Sequence, residues 1–299
     1  MKRMFCLVSS ALSASCFLLS TPCAAQQDFS NVQITPHQLS DNIYYLEGQG
    51  GNIGVSVGDD GVFIVDDQFA PLSEKILDAL EGLSDKPVRF VLNTHHHGDH
   101  TGGNANMAAE GAVIVAHEKV RTTLRRGYNN GDLSQALSME QSMGLPIVTF
   151  NDSVDFYLNG DSIHVFYNGP GHTSGDAFVY FTEDNIIHTG DVFRTTSYPG
   201  VDANAGGSFN GIVASYEKLL EISNANTRFL PGHGVVSTQA DVRAQLQMFY
   251  TMRNRVQNAI EQGMSLEQIL AAGLTSEYDE RWGNPTGAMT ALYNELVSQ

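Results

Sequence analysis

Beyond Cys23 the chain contains no cysteine. All three cysteines, Cys6, Cys16 and Cys23, fall in the opening stretch MKRMFCLVSSALSASCFLLSTPCAA. That stretch has two basic residues, an apolar segment from Phe5 to Leu19, and small residues ending at Ala25. This is the pattern of a secretory signal peptide, with cleavage expected after Ala25. Serines interrupt the apolar segment, which makes it a poor membrane span. Pro22 ahead of Cys23 argues against a lipoprotein signal. The mature chain, residues 26–299, is therefore expected to be secreted, to the periplasm, with no membrane insertion after cleavage. It would carry no thiol. That excludes disulfides, a cysteine nucleophile and thiolate ligands for a metal.

Positive charge is also scarce. Lys and Arg number 16 against 33 Asp and Glu, a net charge of −17, and loss of Lys2 and Arg3 would make the mature chain more negative by two. An acidic surface repels phosphate backbones, so nucleic acid is excluded as a partner and a small-molecule substrate is expected. Much of this charge serves solubility. No G-x-S-x-G motif is present, which leaves a serine hydrolase without its nucleophile turn. No repeat, low-complexity tract or linker divides residues 26–299, so one domain is expected.

What the chain does have is alternating strand and helix signals. NIYYLEG (42–48), NIGVSVGDDG (52–61) and GVFIVDD (61–67) are β-rich runs, the last two parted by the turn GDDG. APLSEKILDALEGL (70–83) spaces Leu72, Ile76, Leu77, Leu80 and Leu83 as one helical face. PVRFVLNT (87–94) predicts a buried strand, followed by a helix over 103–110, a strand over 112–117 and a helix from Glu118. Residues 127–146 read as a loop or loose helix. VTF, VDFYLNG, SIHVFYN, DAFVYFT and NIIHTGD form a second strand-rich half from Val148 to Asp191. A helix is expected over 210–222, a strand at RFL (228–230), and helices from about Ala240 to Gly263 and again from Ser265. Strands mixed with helices in both halves predict an α/β fold of two packed sheets with helices outside.

The stretch NTHHHGDHTGG, residues 93–103, places four of the chain's ten histidines and one aspartate in six consecutive positions. Imidazole and carboxylate are both good metal ligands. Three further loops share its construction. GPGHTSGD carries His172, NIIHTGDVF carries Asp191 and FLPGHG carries His233, each in a glycine-containing loop after a strand signal. Such loops on a rigid scaffold are where chemical groups collect, and glycine lets the backbone close on an ion. Four of them predict a metal site. His96, between ligand candidates, is expected to point away. His117, His164 and His188 read as packing or supporting groups, and His37 as solvated.

His95-x-His97-x-Asp99-His100, with His172, Asp191 and His233, resembles the metallo-β-lactamase superfamily over nearly all of the mature chain. The resemblance implies a four-layer αββα sandwich with a dinuclear metal site at one edge. It assigns His95, His97 and His172 to a first metal, Asp99, His100 and His233 to a second, and Asp191 to a bridge between them. Asp99 is also the implied catalytic carboxylate. Three imidazoles leave one tetrahedral position open for water, as in catalytic zinc sites. Two cations together acidify a shared water. Two zinc ions per chain are the default, and the carboxylates would also accept iron or manganese.

β-Lactamases of the best-known subclass hold a cysteine where this chain has Asp191, so the ligand set is closer to that of glyoxalase II. Arg194, three residues past Asp191, resembles the site of a lysine that binds the substrate carboxylate in those β-lactamases. An ordinary ion pair is the alternative. Gly48 to Asn52 would form an edge loop near the ions. Tyr198, Asn204 or Ser208, in the loop 195–210, would contact substrate. The resulting expectation is a zinc hydrolase that opens a carbonyl bond, preferably of a β-lactam. A lactone, ester or thioester hydrolase is the alternative, and a non-catalytic periplasmic metal-binding accessory protein the second.

Overall fold

The computed structural model describes residues 27–298; the signal peptide expected over 1–25 lies outside them. Among the described residues thirteen strands form two sheets. The first has its seven strands in chain order: β1 (Thr35–Gln38), β2 (Ile43–Glu47), β3 (Ile53–Ser56), β4 (Val62–Val65), β5 (Val88–Asn93), β6 (Val113–His117) and β7 (Val148–Phe150). The second holds β8 (Ser153–Leu158), β9 (Asp161–Tyr167), β10 (Ala177–Phe181), β11 (Ile186–His188), β12 (Arg228–Leu230) and β13 (Ser237–Thr238), in the order β13-β12-β11-β10-β9-β8.

Short connections join antiparallel neighbours at β1 to β4, β8 to β9 and β10 to β11, and a longer loop, 168–176, joins β9 to β10. The parallel pairs β4–β5, β5–β6 and β11–β12 need crossovers, and helices supply them. One is Ser73–Glu81, as the apolar spacing predicts; another is Phe209–Ile222.

Three apolar clusters make four layers. Phe63, Val65, Leu92 and Val115 of the first sheet meet Ile163, Val165, Val179 and Phe181 of the second. The first sheet's other face packs Ile53, Val55, Ile64 and Val91 against Leu72, Ile76 and Leu80. The second sheet's outer face packs Phe178, Ile187 and Phe229 against Ile212, Tyr216, Leu219, Phe249 and Leu292. This is the αββα sandwich. It explains why β3 and β4 are buried at every position and why β4 reads as an unbroken apolar run.

The structure departs from the sequence reading at VTF and at two edge strands, and gives finer detail at 127–146 and the C-terminus. VTF is not part of the second half: β7 pairs in parallel with β6 at the edge of the first sheet. Residues 127–146 contain the helix Met139–Met143, started by a capping box of Ser138 and Gln141. The long helix Gln239–Glu261 is followed by three shorter ones, Leu266–Ala271, Ser276–Trp282 and Thr286–Val297. The polar edge strands β1 and β13 carry no apolar alternation and were not expected. Among the described residues no helix is long and apolar enough to cross a membrane.

Candidate metal centre

The site lies where several strands end on one edge. β11 and β12 run parallel, and Asp191 and His233 each stand three residues past their strand's last residue. The histidine run follows β5 directly, and a one-turn helix, Gly98–Thr101, carries Asp99 and His100. His172 comes from the loop between β9 and β10.

These loops bring all seven expected residues together. His97 Nδ1 lies 3.2 Å from His95 Nε2 and 3.0 Å from His172 Nε2. His233 Nε2 lies 3.1 Å from Asp99 Oδ2 and 3.4 Å from His100 Nε2. Asp191 sits between the two groups, with Oδ1 3.4 Å from His100 Nε2 and Oδ2 3.7 Å from His172 Nε2. The donor atoms of His95, His97 and His172, and those of Asp99, His100 and His233, each form a group that can hold a metal ion.

The outward nitrogens fix the tautomers. His172 Nδ1 meets the Gly200 carbonyl at 2.8 Å, His97 Nε2 meets Asp202 Oδ2 at 2.9 Å, and His100 Nδ1 meets Asp66 Oδ2 at 2.7 Å. All three partners only accept, so each of these nitrogens carries the proton. Thr94 Oγ1 donates to Asp66 Oδ2 at 2.8 Å and so accepts from His95 Nδ1 at 3.0 Å. The inward nitrogens of His95, His97 and His172 are left with bare lone pairs. Lone pairs converging at 3.0–3.2 Å repel unless a cation sits among them. Asp191 Oδ1 is buried without a hydrogen-bond partner, a further sign that a cation completes the set.

Close backbone approach supports the cluster. A Cβ on Gly232 would lie 2.1 Å from Asp191 Oδ1, and one on Gly51 would lie 2.2 Å from the His100 ring. The expected edge loop is thus in place: Gly51 N donates to Asp99 O, and Asn52 Nδ2 donates to the carbonyls of Pro231 and Gly234.

The electrostatics follow from burial and neighbours. Burial lowers His172 to about 4 and, with His100 beside it, holds His95 well below the usual imidazole range. Burial also pulls His100 down, but the Asp66 and Asp191 carboxylates outweigh it and hold that ring well above its ordinary value. For Asp191, burial pushes up while His100, His95 and Arg194 hold the carboxyl well below its range.

Two supporting carboxylates escaped the sequence reading. Asp66 ends the apolar run of β4 and receives Thr94 N, Thr94 Oγ1 and His100. Its φ of 67° lies in the left-handed region, a strained backbone of the kind found where a side chain must be aimed. An acidic pair closing an apolar strand was the available signal. Asp202, the partner of His97, had none beyond its glycine-rich loop.

The other expected residues fall as follows. Arg194 Nη2 donates to Asp191 Oδ2 at 3.1 Å. Asn204 is exposed in a single turn, Ala203–Ala205. Tyr198 and Ser208 are turned elsewhere, their hydroxyls donating to Asp279 Oδ1 and Glu295 Oε1. His96 faces a recess with Tyr128 and Gln141. His117, His164 and His188 bond to Asn151 O, Asp155 and Asn52 O, and His37 to Glu47.

An αββα sandwich with a His/Asp metal-binding cluster at one edge defines a class of metal-dependent hydrolases. The chain belongs to the metallo-beta-lactamase superfamily, whose family model matches residues 46–233. It is 24% identical over 244 residues to the 2,4-dinitroanisole O-demethylase subunit alpha of Nocardioides sp. strain JS1661, covering 81% of this chain and 69% of that one. It is 29% identical over 154 residues to a hydroxyacylglutathione hydrolase of Methylococcus capsulatus, covering 51% of this chain and only 48% of that protein. A solved metallo-beta-lactamase from Pontibacter korlensis shares the fold, with TM-score 0.61, 19% identity, and coverage of 73% of this chain and 99% of that one.

Proposed function

We propose that this chain is a dinuclear zinc hydrolase that opens a carbonyl bond. The observation that carries the reading is the convergence of the inward lone pairs of His95, His97 and His172, whose outward nitrogens are all locked, beside the unpartnered buried oxygen of Asp191. His95, His97 and His172 would hold one ion, Asp99, His100 and His233 the other, and Asp191 would serve both. When bound, the ions supply Lewis acidity and a water acidified to near-neutral pKa. The chain's own residues do the rest. Thr94, Asp66, Asp202 and the Gly200 carbonyl keep each ring in one tautomer and orientation. Asp99 is 28% exposed, and its carboxylate oxygen not engaged with the ion could take a proton from water.

An ester or thioester is favoured as substrate. A carboxylate stands at position 191, and Arg194 is engaged with it rather than aimed at an anionic substrate. A β-lactam amide is the second reading, which Arg194 would serve by turning from Asp191 to a substrate carboxylate.

Reconstitution with zinc should give about two equivalents per chain, as for other two-metal hydrolases. Hydrolysis should appear on a panel of ester, thioester, lactone and chromogenic cephalosporin. Asp191→Ala should reduce zinc to about one equivalent and abolish most turnover. Tight zinc with no turnover on any panel member would leave a metal-binding accessory protein instead.

A further inference from the structure

Beside the cluster lies a pocket of about 410 Å³ that the metal-binding residues do not line. Its walls are Thr195 and Val235 on one side, Met248 of the long helix Gln239–Glu261 behind, and Tyr278, Arg281 and Trp282 of the helix Ser276–Trp282 opposite. Pocket and cluster share a wall. Thr195 follows Arg194, its N–H donates to His233 O at 3.1 Å, and its hydroxyl accepts from Val235 N at 2.9 Å. Gln245, on the pocket floor, donates to Arg194 O at 3.1 Å. Val235, two residues past His233 and on the pocket wall, is 66% exposed although it is apolar.

The chemistry of the lining is specific. Tyr278 and Trp282 offer aromatic surface, and Val235 and Met248 offer apolar surface. Arg281 lies over the Trp282 ring, 4.5 Å from its centroid, and has no ion pair or hydrogen bond among the described residues. Arg281 is exposed, so its guanidinium is open to an anion arriving from solvent. The carboxylate lining the pocket, Asp241, is occupied: its Oδ2 accepts from Thr238 N and Oγ1 at the start of the long helix. An aromatic group can stack on the indole while an attached carboxylate meets the guanidinium.

We propose that this pocket receives an aromatic arm bearing a carboxylate, on a substrate whose scissile carbonyl lies at the metal cluster. The proposal adds the substrate's recognition element to the hydrolase reading and rests on it. Substrates with such an arm are selected over those without one, and the selection is made by helices outside the segment that the superfamily model matches.

Trp282 is the chain's single tryptophan, so its emission reports occupancy of the pocket without any need for turnover. Phenylacetate is the probe, with benzyl alcohol as its uncharged counterpart. Titrated into the full chain, both zinc-loaded and metal-free, phenylacetate should change Trp282 emission saturably in both forms. Benzyl alcohol should bind about tenfold more weakly, the equivalent of one charge-assisted contact. Arg281→Gln should bring phenylacetate down to the level of benzyl alcohol and leave benzyl alcohol unchanged. On the zinc enzyme, the same variant should raise KM for a phenylacetate-bearing ester about tenfold and leave kcat unchanged. No saturable change in metal-free protein, or equal binding of both probes, overturns the pocket assignment even if hydrolysis is intact. If the panel shows no hydrolysis but phenylacetate binds through Arg281, the hydrolase reading fails and the binding site stands.

Discussion

At the scale of single residues, Arg194 shows how one contact redirects an assignment. It is 20% exposed, its Nη2 sits on Asp191 Oδ2, and its Nε is buried without a partner. A guanidinium held on the carboxylate between the two ligand groups keeps that carboxylate charged and aimed. Arg194→Ala should therefore weaken zinc binding and turnover together, for substrates with and without a carboxylate. Loss of a charge-assisted bond at such a site costs about 1.5–3 kcal/mol, or roughly ten- to a hundredfold in kcat/KM. Arg194→Lys should recover part of it, keeping the charge and losing the planar fork. A KM effect restricted to carboxylate-bearing substrates, at unchanged zinc content, would identify Arg194 as a substrate clamp instead.

At the scale of elements, the loop from Thr195 to Ser208 supplies two of the groups that orient the histidines, the Gly200 carbonyl and Asp202. It is held from outside by the C-terminal helices. Tyr198 donates to Asp279, its N–H reaches the Trp282 carbonyl, and the Glu295 carboxylate receives Ser208 Oγ and Phe209 N, both at 2.8 Å. Glu295 also sits at the start of the helix Phe209–Ile222, where a negative charge is favourable. Glu295→Ala should cost about 1–3 kcal/mol of stability, read from denaturant unfolding of metal-free protein. It should also lower zinc affinity in competition with a chelator, because the supports of His97 and His172 loosen; Glu295→Gln should restore part of both. Unchanged zinc affinity in a destabilised Glu295→Ala would mean that the last helix supports only the fold.

At the scale of the whole molecule, one buried carboxyl tilts stability against pH. Asp176 is raised to about 7, chiefly by burial and further by the negative Asp191, against the hydrogen bonds it accepts from Thr173 and Gly171. Its folded pKa lies above its unfolded value of 3.8. The stability it contributes is thus fully present below pH 3.8 and is lost as pH rises through about 7. The difference amounts to roughly 4 kcal/mol at most, since each pKa unit is worth about 1.4 kcal/mol. Asp176→Asn keeps the shape and removes the titration. Its stability relative to the parent should improve steadily from pH 4 to pH 7 in denaturant unfolding; a constant difference over that range would mean that Asp176 is ionised throughout.

The sequence by itself determined most of the strands, though not β1 and β13, together with the first crossover helix and the seven residues that the cluster brings together. Apolar runs fix strands wherever both faces are buried, as in β4, and ligand loops announce themselves by histidine and glycine at strand ends. Tertiary structure alone decided what depends on partners distant in the chain. VTF is three residues long with only Phe150 buried, a pattern that suits either sheet, and only pairing with β6 places it. Asp66 and Asp202 look like ordinary turn acids until His100 and His97, 34 and 105 residues away, come within hydrogen-bond distance. The contact of Arg194 with Asp191 and the pocket walled by Val235, Met248 and Trp282 likewise exist only once the loops and the C-terminal helices have packed. The chemical type of a ligand is local to the chain, whereas its orientation, charge state and neighbours are set by the packing around it.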